Sequence, residues 1–106
     1  MYEDIPFSKI QQRIDKWIKE HGGYWPPLSM LASISEELGE LAREINHLEG
    51  FKPKKQTESE GDIGEELADL LFSIVCVANY YKIDLGEKFQ FILRKYTKRD
   101  EKRFKK

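Results

Sequence analysis

The chain has 106 residues, enough for one compact domain and too few for two independent hydrophobic cores, so we treat residues 1–106 as a single domain. Lysine and arginine number 18, and aspartate and glutamate number 19, which gives a formal net charge of −1. This balance excludes a generally basic nucleic-acid binder and an acidic disordered tail.

The small net charge hides two segments of opposite sign. Residues 33–69 hold eleven acidic against four basic residues, a net charge of −7. Residues 94–106 hold eight basic against two acidic residues, a net charge of +6. Negative charge is therefore concentrated in the middle of the chain and positive charge at its C-terminal end.

Several features predict a cytoplasmic protein without a membrane span. Residues 1–4 are acidic and lack the apolar segment of a signal peptide. The single cysteine, Cys76, lies in the most apolar segment, where we expect a reduced, packed thiol. The uncharged residues 70–81 would span roughly 18 Å as a helix, short of the ~30 Å hydrocarbon core of a bilayer, and therefore predict a buried helix.

The first predicted element is a helix opened by Ser8 and Gln11, which form an S-x-x-Q capping box. Its apolar residues recur at helical spacing and are Ile10, Ile14, Trp17 and Ile18. Gly22 and Gly23 end this helix, and residues 24–27, Tyr-Trp-Pro-Pro, are predicted to form a stiff turn.

Three further helices follow in chain order. The second is predicted for residues 29–48, and residues 49–61 are predicted to form a surface loop. Its apolar stripe is Leu31, Ile34, Leu38, Leu41, Ile45 and Leu48. The third runs from near residues 60–62 to residue 81, and an Asp84–Glu87 capping box opens a fourth that reaches residue 104. No alternating β-branched segment is present, so the predicted fold is all-α, an antiparallel four-helix bundle.

The third helix also predicts self-association. Residues 70–78 read Leu-Leu-Phe-Ser-Ile-Val-Cys-Val-Ala, which is apolar on nearly all sides. Such a helix must be surrounded, and three neighbouring helices in one short chain can hardly cover it. We therefore expect a homodimer or a larger assembly, with a central helix of a monomer as the alternative.

Carboxylates recur three residues apart on two consecutive predicted helices. Glu37 and Glu40 lie at the margin of the apolar face of the second helix, and Glu66 and Asp69 share a stripe with Ser73 on the third. A solvated face is the ordinary interpretation, yet like charges four apart, as in this segment, destabilise a helix by roughly 0.2–0.5 kcal/mol each. Two facing pairs supply hard oxygen ligands, which suit Mg²⁺ or Mn²⁺.

These carboxylates belong to two motifs. Residues 36–40, Glu-Glu-Leu-Gly-Glu, are followed after 25 intervening residues by residues 66–69, Glu-Leu-Ala-Asp. This resembles the E-E-x-x-E … E-x-x-D signature of MazG-type nucleotide pyrophosphohydrolases, and the similarity extends over about residues 8–104. The resemblance implies an all-α enzyme, a homodimer or dimer of dimers, that uses Mg²⁺ to hydrolyse nucleoside triphosphates to the monophosphate and pyrophosphate.

Carried over residue by residue, the resemblance makes Glu37, Glu40, Glu66 and Asp69 the metal ligands, with Mn²⁺ as an alternative to Mg²⁺. Glu36 matches the first glutamate of the signature, but the helical wheel places it opposite the core. We therefore expect Glu36 to be an outer ligand or to orient water, in a catalytic role beside Glu37.

Substrate contacts are predicted at both ends of the chain. Basic residues recur every four positions on one face of the fourth helix and are Lys95, Arg99 and Arg103. The resemblance implies phosphate contacts there, and a solvated tail is the alternative.

Trp25 is the candidate to stack on a nucleobase. His21 and His47, near helix ends, are weaker candidates, and ordinary packing is the alternative for all three.

The leading hypothesis is therefore a Mg²⁺-dependent pyrophosphohydrolase acting on canonical or non-canonical nucleoside triphosphates. The alternative is a helical, oligomeric interaction module whose basic C-terminal segment contacts nucleic acid or an acidic partner. That alternative leaves the paired carboxylates unexplained, so we expect a nucleotide substrate and no nucleic-acid partner.

Overall fold

The computed structural model describes residues 2–50 and 62–104, with side chains described up to residue 101. These ranges contain four α-helices and no strand: α1 (Phe7–Glu20), α2 (Pro27–Leu48), α3 (Ile63–Tyr80) and α4 (Leu85–Phe104). The all-α prediction is confirmed, with bounds close to the predicted ones. Residues 51–61, most of the predicted surface loop, lie outside the described residues. None of the described helices combines the length and apolar character that a bilayer span needs.

The helix starts are set by different N-cap residues. Asp62 Oδ1 accepts a hydrogen bond from Gly64 N at 2.7 Å and caps α3. Asp84 Oδ1 accepts one from Glu87 N at 3.1 Å, as the predicted capping box requires. The box predicted at Ser8 is wrong, because α1 begins at Phe7 after Pro6, whose side chain makes no cap hydrogen bond. The fixed φ of proline starts α1 without a cap.

Helices α2 and α3 make the most extensive helix pair and run antiparallel. Glu37 of α2 lies beside Glu66 of α3, whereas Met30, two turns earlier on α2, shares a cavity with Cys76, nearly three turns later on α3. Residue numbers thus rise along one helix as they fall along the other. This pairing brings the two carboxylate-bearing stripes to face each other.

Gln11 joins α1 to the junction between α3 and α4. Its side chain is buried, with a relative exposure of 7%. Gln11 Nε2 donates to Asn79 Oδ1 and to Ile83 O, both at 3.0 Å, and its Oε1 accepts from Leu85 N at 2.9 Å. Asn79 Nδ2 donates to the Gln11 carbonyl oxygen at 3.0 Å. This network fixes the point where α4 leaves the rest of the chain.

The segment between α1 and α2 is held in a defined shape. Gly22 and Gly23 have positive φ angles of 105° and 87°, a region that favours glycine. The Tyr24 hydroxyl donates to Asp15 Oδ1 at 2.5 Å, which ties the segment to α1. Pro26 and Pro27 then begin α2.

The hydrophobic core is small, and apolar side chains remain exposed on three helices. The buried apolar residues are Met30, Leu41, Val75, Cys76 and Ala78. The exposed set, called the apolar stripes below, is Leu31, Leu38 and Ile45 on α2, Leu67, Leu71 and Ile74 on α3, and Phe89, Ile92, Leu93 and Tyr96 on α4. Helix α4 contacts chiefly α1, with Phe89 edge-on to Phe7 at 5.6 Å between ring centroids. The radius of gyration is 17.5 Å, against about 13 Å for a compact chain of this size.

Candidate functional site

An acidic cluster forms where α2 and α3 face each other. It consists of Glu37, Glu40 and Glu66, whose carboxylate oxygens lie within 4.8 Å of one another. The first two are neighbours because they are three residues apart on one helix, and the antiparallel pairing adds the third. Glu37 and Glu66 are half-buried and Glu40 is exposed. The structure thus brings three of the four predicted metal ligands together, and their role toward a metal stays a prediction.

Burial and neighbouring negative charge raise the pKa of two members of the acidic cluster. Burial raises the pKa of Glu37, and the charges of Glu40, Asp69 and Glu36 raise it further. Burial also raises the pKa of Glu66, followed by the charge of Glu40, a hydrogen bond with it, and the charges of Glu37 and Asp69. Asp69, the fourth predicted ligand, and Glu36 are exposed, and each lies close enough to act on the cluster through its charge.

Two carboxylate oxygens of the acidic cluster indicate whether a cation fits there. Glu37 Oε2 and Glu66 Oε2 are buried and make no hydrogen bond among the described residues. An unpartnered buried polar atom is costly, and for an ionised carboxylate the natural compensation is positive charge. Hard carboxylate oxygens are the ligands that small divalent cations prefer. The acidic cluster therefore fits a divalent cation.

A cavity of about 310 Å³ adjoins the acidic cluster. Two serines line this cavity: Ser33 lies one turn before Glu37 on α2, and Ser73 lies one turn after Asp69 on α3. Cavity and cluster therefore occupy successive turns of the same two helices. The aromatic lining comes from α1, from the segment before α2 and from α3, and consists of Trp17, His21, Tyr24, Trp25 and Phe72.

Ring contacts give this cavity a flat wall. His21 stacks on Trp17 with ring centroids 4.0 Å apart and planes inclined by 18°, and its Nδ1 donates to Trp17 O at 2.6 Å. Phe72 meets the Trp17 ring edge-on at 6.0 Å. Trp25 is 64% exposed and available for stacking. Two predicted substrate contacts, Trp25 and His21, thus line one cavity that suits a planar ring.

The profile of the MazG nucleotide pyrophosphohydrolase domain matches residues 26–104, a range that contains both carboxylate motifs. The chain belongs to the MazG family. It is therefore a nucleotide pyrophosphohydrolase, which confirms the enzyme hypothesis over the interaction module. YpjD of Bacillus subtilis is 44% identical over 102 residues, which cover 95% of this chain and 92% of YpjD.

Solved structures of similar proteins share the fold of this MazG domain. The crystal structure of YpjD from Bacillus subtilis matches with a TM-score of 0.79, covering 90% of this chain and 98% of that one. A Bacillus-conserved MazG protein, described as a nucleotide pyrophosphohydrolase, is 36% identical with a TM-score of 0.76, covering 90% and 93% of the two chains. The nucleoside triphosphate pyrophosphohydrolase/pyrophosphatase MazG of Thermotoga maritima is 29% identical, and the match spans 99% of this chain but 43% of that protein.

The other predicted contacts whose side chains the structure describes do not line the cavity. His47 is half-buried in the last turn of α2 and does not line it. Lys95 is exposed, and Arg99 donates to Asp100 at 2.9 Å and lies over the Tyr96 ring at 4.8 Å. Because α4 contacts chiefly α1, its basic face is not packed against the acidic cluster of the same chain. The Arg103 side chain lies outside the described residues.

Part of the cavity of the MazG domain is not predicted by the sequence. The periodicity of α1 predicts that Trp17 belongs to its apolar stripe, yet the side chain is half exposed and forms the wall on which His21 stacks. The signal was its position four residues before a histidine at a helix end. Ser33 was detectable in the same way, one turn before Glu37 on α2. Phe72 gave no comparable signal, because an apolar helix offers aromatic residues on every side.

Proposed function

We propose that this MazG domain hydrolyses nucleoside triphosphates, canonical or non-canonical and with either sugar, to the nucleoside monophosphate and pyrophosphate in the presence of Mg²⁺. The supporting observation is an acidic cluster with two buried, unpartnered carboxylate oxygens beside an aromatic cavity. The acidic cluster suits a triphosphate that carries a cation, and the cavity suits a planar base. The family supports the reaction class.

Glu37, Glu40 and Glu66 would hold the metal ion, with Asp69 at the edge of the same cluster. When bound, Mg²⁺ offsets the negative charge of the triphosphate and lowers the pKa of a coordinated water, and Mn²⁺ is the alternative ion. The carboxylates alone would repel the substrate. The acidic cluster therefore binds triphosphate only together with a cation.

Glu36 and Glu37 are assigned to the attacking water. A carboxylate there accepts a hydrogen bond from the water and then its proton, as the oxygen bonds to phosphorus. The opposite phosphorus–oxygen bond of the anhydride breaks, and its electron pair leaves with pyrophosphate.

The remaining side chains bind the two ends of the substrate. Trp25 stacks against the base in the cavity, and His21 contacts the base at the rim of the same cavity. Lys95 and Arg99, with Arg103 further along α4, bind the phosphates and the developing charge on pyrophosphate. Because α4 contacts chiefly α1, we assign this phosphate role to α4 of a neighbouring subunit.

Self-association is part of the same proposal. The apolar stripes repeat at helical spacing on α2, α3 and α4 and stay exposed in the single chain. Exposed stripes of this extent are typical of subunit interfaces. We therefore propose a homodimer or a dimer of dimers, in which a second copy covers the stripes.

The test is pyrophosphate release from a panel of canonical and modified nucleoside triphosphates with Mg²⁺ or Mn²⁺. We expect release from at least one substrate, and its loss in Glu37→Gln and in Asp69→Asn with unchanged helical circular dichroism. Glu65→Gln is the matched control, because Glu65 is exposed on α3 outside the acidic cluster and should stay active. No release from any substrate with either metal would contradict the proposal.

A further inference from the structure

His21 stands at the rim of the aromatic cavity, at the C-terminal end of α1. Two contacts orient its ring. The ring stacks on Trp17 at 4.0 Å, and Nδ1 lies 2.6 Å from Trp17 O, a carbonyl one turn earlier in the same helix. The stacking fixes the plane of the ring, and a flip of the ring within that plane would break the bond to Trp17 O, so the orientation of both ring nitrogens is defined before binding.

The bond to Trp17 O also decides which ring nitrogen holds the proton. A carbonyl oxygen only accepts hydrogen bonds, so Nδ1 of His21 must be the N–H donor. A neutral imidazole has one N–H and one lone pair, and the lone pair is therefore on Nε2. Nε2 of the neutral ring is a hydrogen-bond acceptor.

None of the other polar side chains that line the cavity, among the described residues, is restricted to accepting hydrogen bonds. The indole N–H groups of Trp17 and Trp25 only donate, and the hydroxyls of Ser33 and Ser73 serve either way. The Tyr24 hydroxyl donates to Asp15. Among the described side chains that line the cavity, His21 Nε2 is the strong acceptor of fixed polarity.

We propose that His21 determines base preference by accepting a hydrogen bond from the exocyclic amino group of the substrate base. The enzyme then favours cytosine and adenine nucleotides over their oxo counterparts, uracil and hypoxanthine. An oxo group would set its lone pairs against that of Nε2 and leave two acceptors unpaired. This inference rests on the proposed function, in that the cavity holds the base.

The test compares kcat/KM within pairs that differ only in amino against oxo, dCTP with dUTP and dATP with dITP, at mildly alkaline pH. In the unaltered enzyme we expect the amino member to be favoured by roughly fivefold or more, because an acceptor left unpaired beneath the bound base costs about that factor or more. In His21→Asn the amide nitrogen can still donate to Trp17 O, but the acceptor at the Nε2 position is gone. The preference should fall toward one, mainly through slower hydrolysis of the amino member.

Glu20→Gln is the matched control, since Glu20 is exposed, adjacent in sequence and outside the cavity lining. It should keep the preference. An amino-to-oxo ratio that is unchanged in His21→Asn, or a preference for the oxo member in the unaltered enzyme, overturns the inference.

A binding measurement separates this inference from the proposed function. Quenching of tryptophan fluorescence by dCMP and by dUMP reports on the cavity without any hydrolysis, because Trp17 and Trp25 line it. Tighter binding of dCMP that is lost in His21→Asn supports the assignment of His21 even if no triphosphate is hydrolysed. Equal binding of the two monophosphates, or binding of neither, overturns it.

Discussion

Glu37 and Glu66 each place one buried carboxylate oxygen where it has no hydrogen-bond partner among the described residues. Burial and neighbouring negative charge raise the pKa of both groups. The ionised form is therefore less stable in the folded chain than in the unfolded chain. Without a cation, the acidic cluster destabilises the fold at neutral pH.

This yields a prediction for metal-free protein. As the pH falls from neutral toward 4.5, the ordinary glutamate value, the folded state takes up protons before the unfolded state does. The melting temperature in chelator should therefore rise over this range, and saturating Mg²⁺ should raise it more at neutral than at acidic pH. Thermal unfolding followed by circular dichroism measures both effects.

The double variant Glu37→Gln, Glu66→Gln supplies the control, because it removes both titrating groups while keeping their size. The melting temperature of this variant should rise much less on acidification and should respond much less to Mg²⁺. A melting temperature of the unaltered protein that Mg²⁺ leaves unchanged at neutral pH would count against the metal site.

At the residue scale, the sequence predicts the carboxylates better than the cavity. The spacing of three predicts that Glu37 and Glu40 are neighbours, as they are in the structure, because helix geometry alone decides this, whereas their role toward a metal stays a prediction. The sequence predicts a capping box for Gln11, whereas its side chain bonds to α3 and to the start of α4. Its partners lie about 70 residues away in the chain, and no local pattern identifies them.

The junction around Gln11 decides the direction in which α4 leaves the chain. Gln11 Nε2 donates to two acceptors, and its Oε1 accepts the N–H of Leu85, the first residue of α4. Losing any one of these bonds costs more free energy because the site is buried, and water cannot replace the missing partner.

Gln11→Leu should therefore lower the free energy of unfolding by about 3 kcal/mol, since it removes three bonds and leaves buried partners unsatisfied. Gln12→Leu, at the exposed neighbouring position, should change it by less than about 0.5 kcal/mol. Urea unfolding at one fixed protein concentration measures both. Equal effects of the two substitutions would show that the junction contributes nothing to stability.

At the element scale, all four helices follow from apolar periodicity and turn residues. The pattern does not predict which apolar residues of a stripe are buried by the other helices of the same chain. On α2 the structure buries Leu41 and leaves Leu31, Leu38 and Ile45 exposed. Periodicity identifies an apolar face, whereas its neighbour depends on how the other helices pack.

The molecule as a whole is more open than a compact domain of its length, with a radius of gyration of 17.5 Å. Only five apolar residues are buried among the described positions, whereas the apolar stripes on three helices face outward. A single copy of such a chain would be marginally stable, because little apolar surface leaves water. We expect association with a second copy to bury more apolar surface and so to stabilise the fold.

Leu38→Glu should therefore disrupt assembly, because it places a charge in the middle of the exposed stripe of α2. Its mass by light scattering after size exclusion should fall toward that of one chain, 12.5 kDa. Ala32→Glu, at an exposed position on another side of α2, should keep the assembled mass. If the unaltered protein has the mass of one chain, the assembly proposal is wrong.

Trp25 combines an exposed side chain with a backbone that has little freedom. It precedes Pro26, and the residue before a proline is confined largely to extended conformations. Pro26 and Pro27 then fix their own φ angles at the start of α2. Stacking on a base therefore immobilises little more than the two side-chain torsions of Trp25. The entropic penalty of placing this ring against a ligand is therefore small, which favours binding.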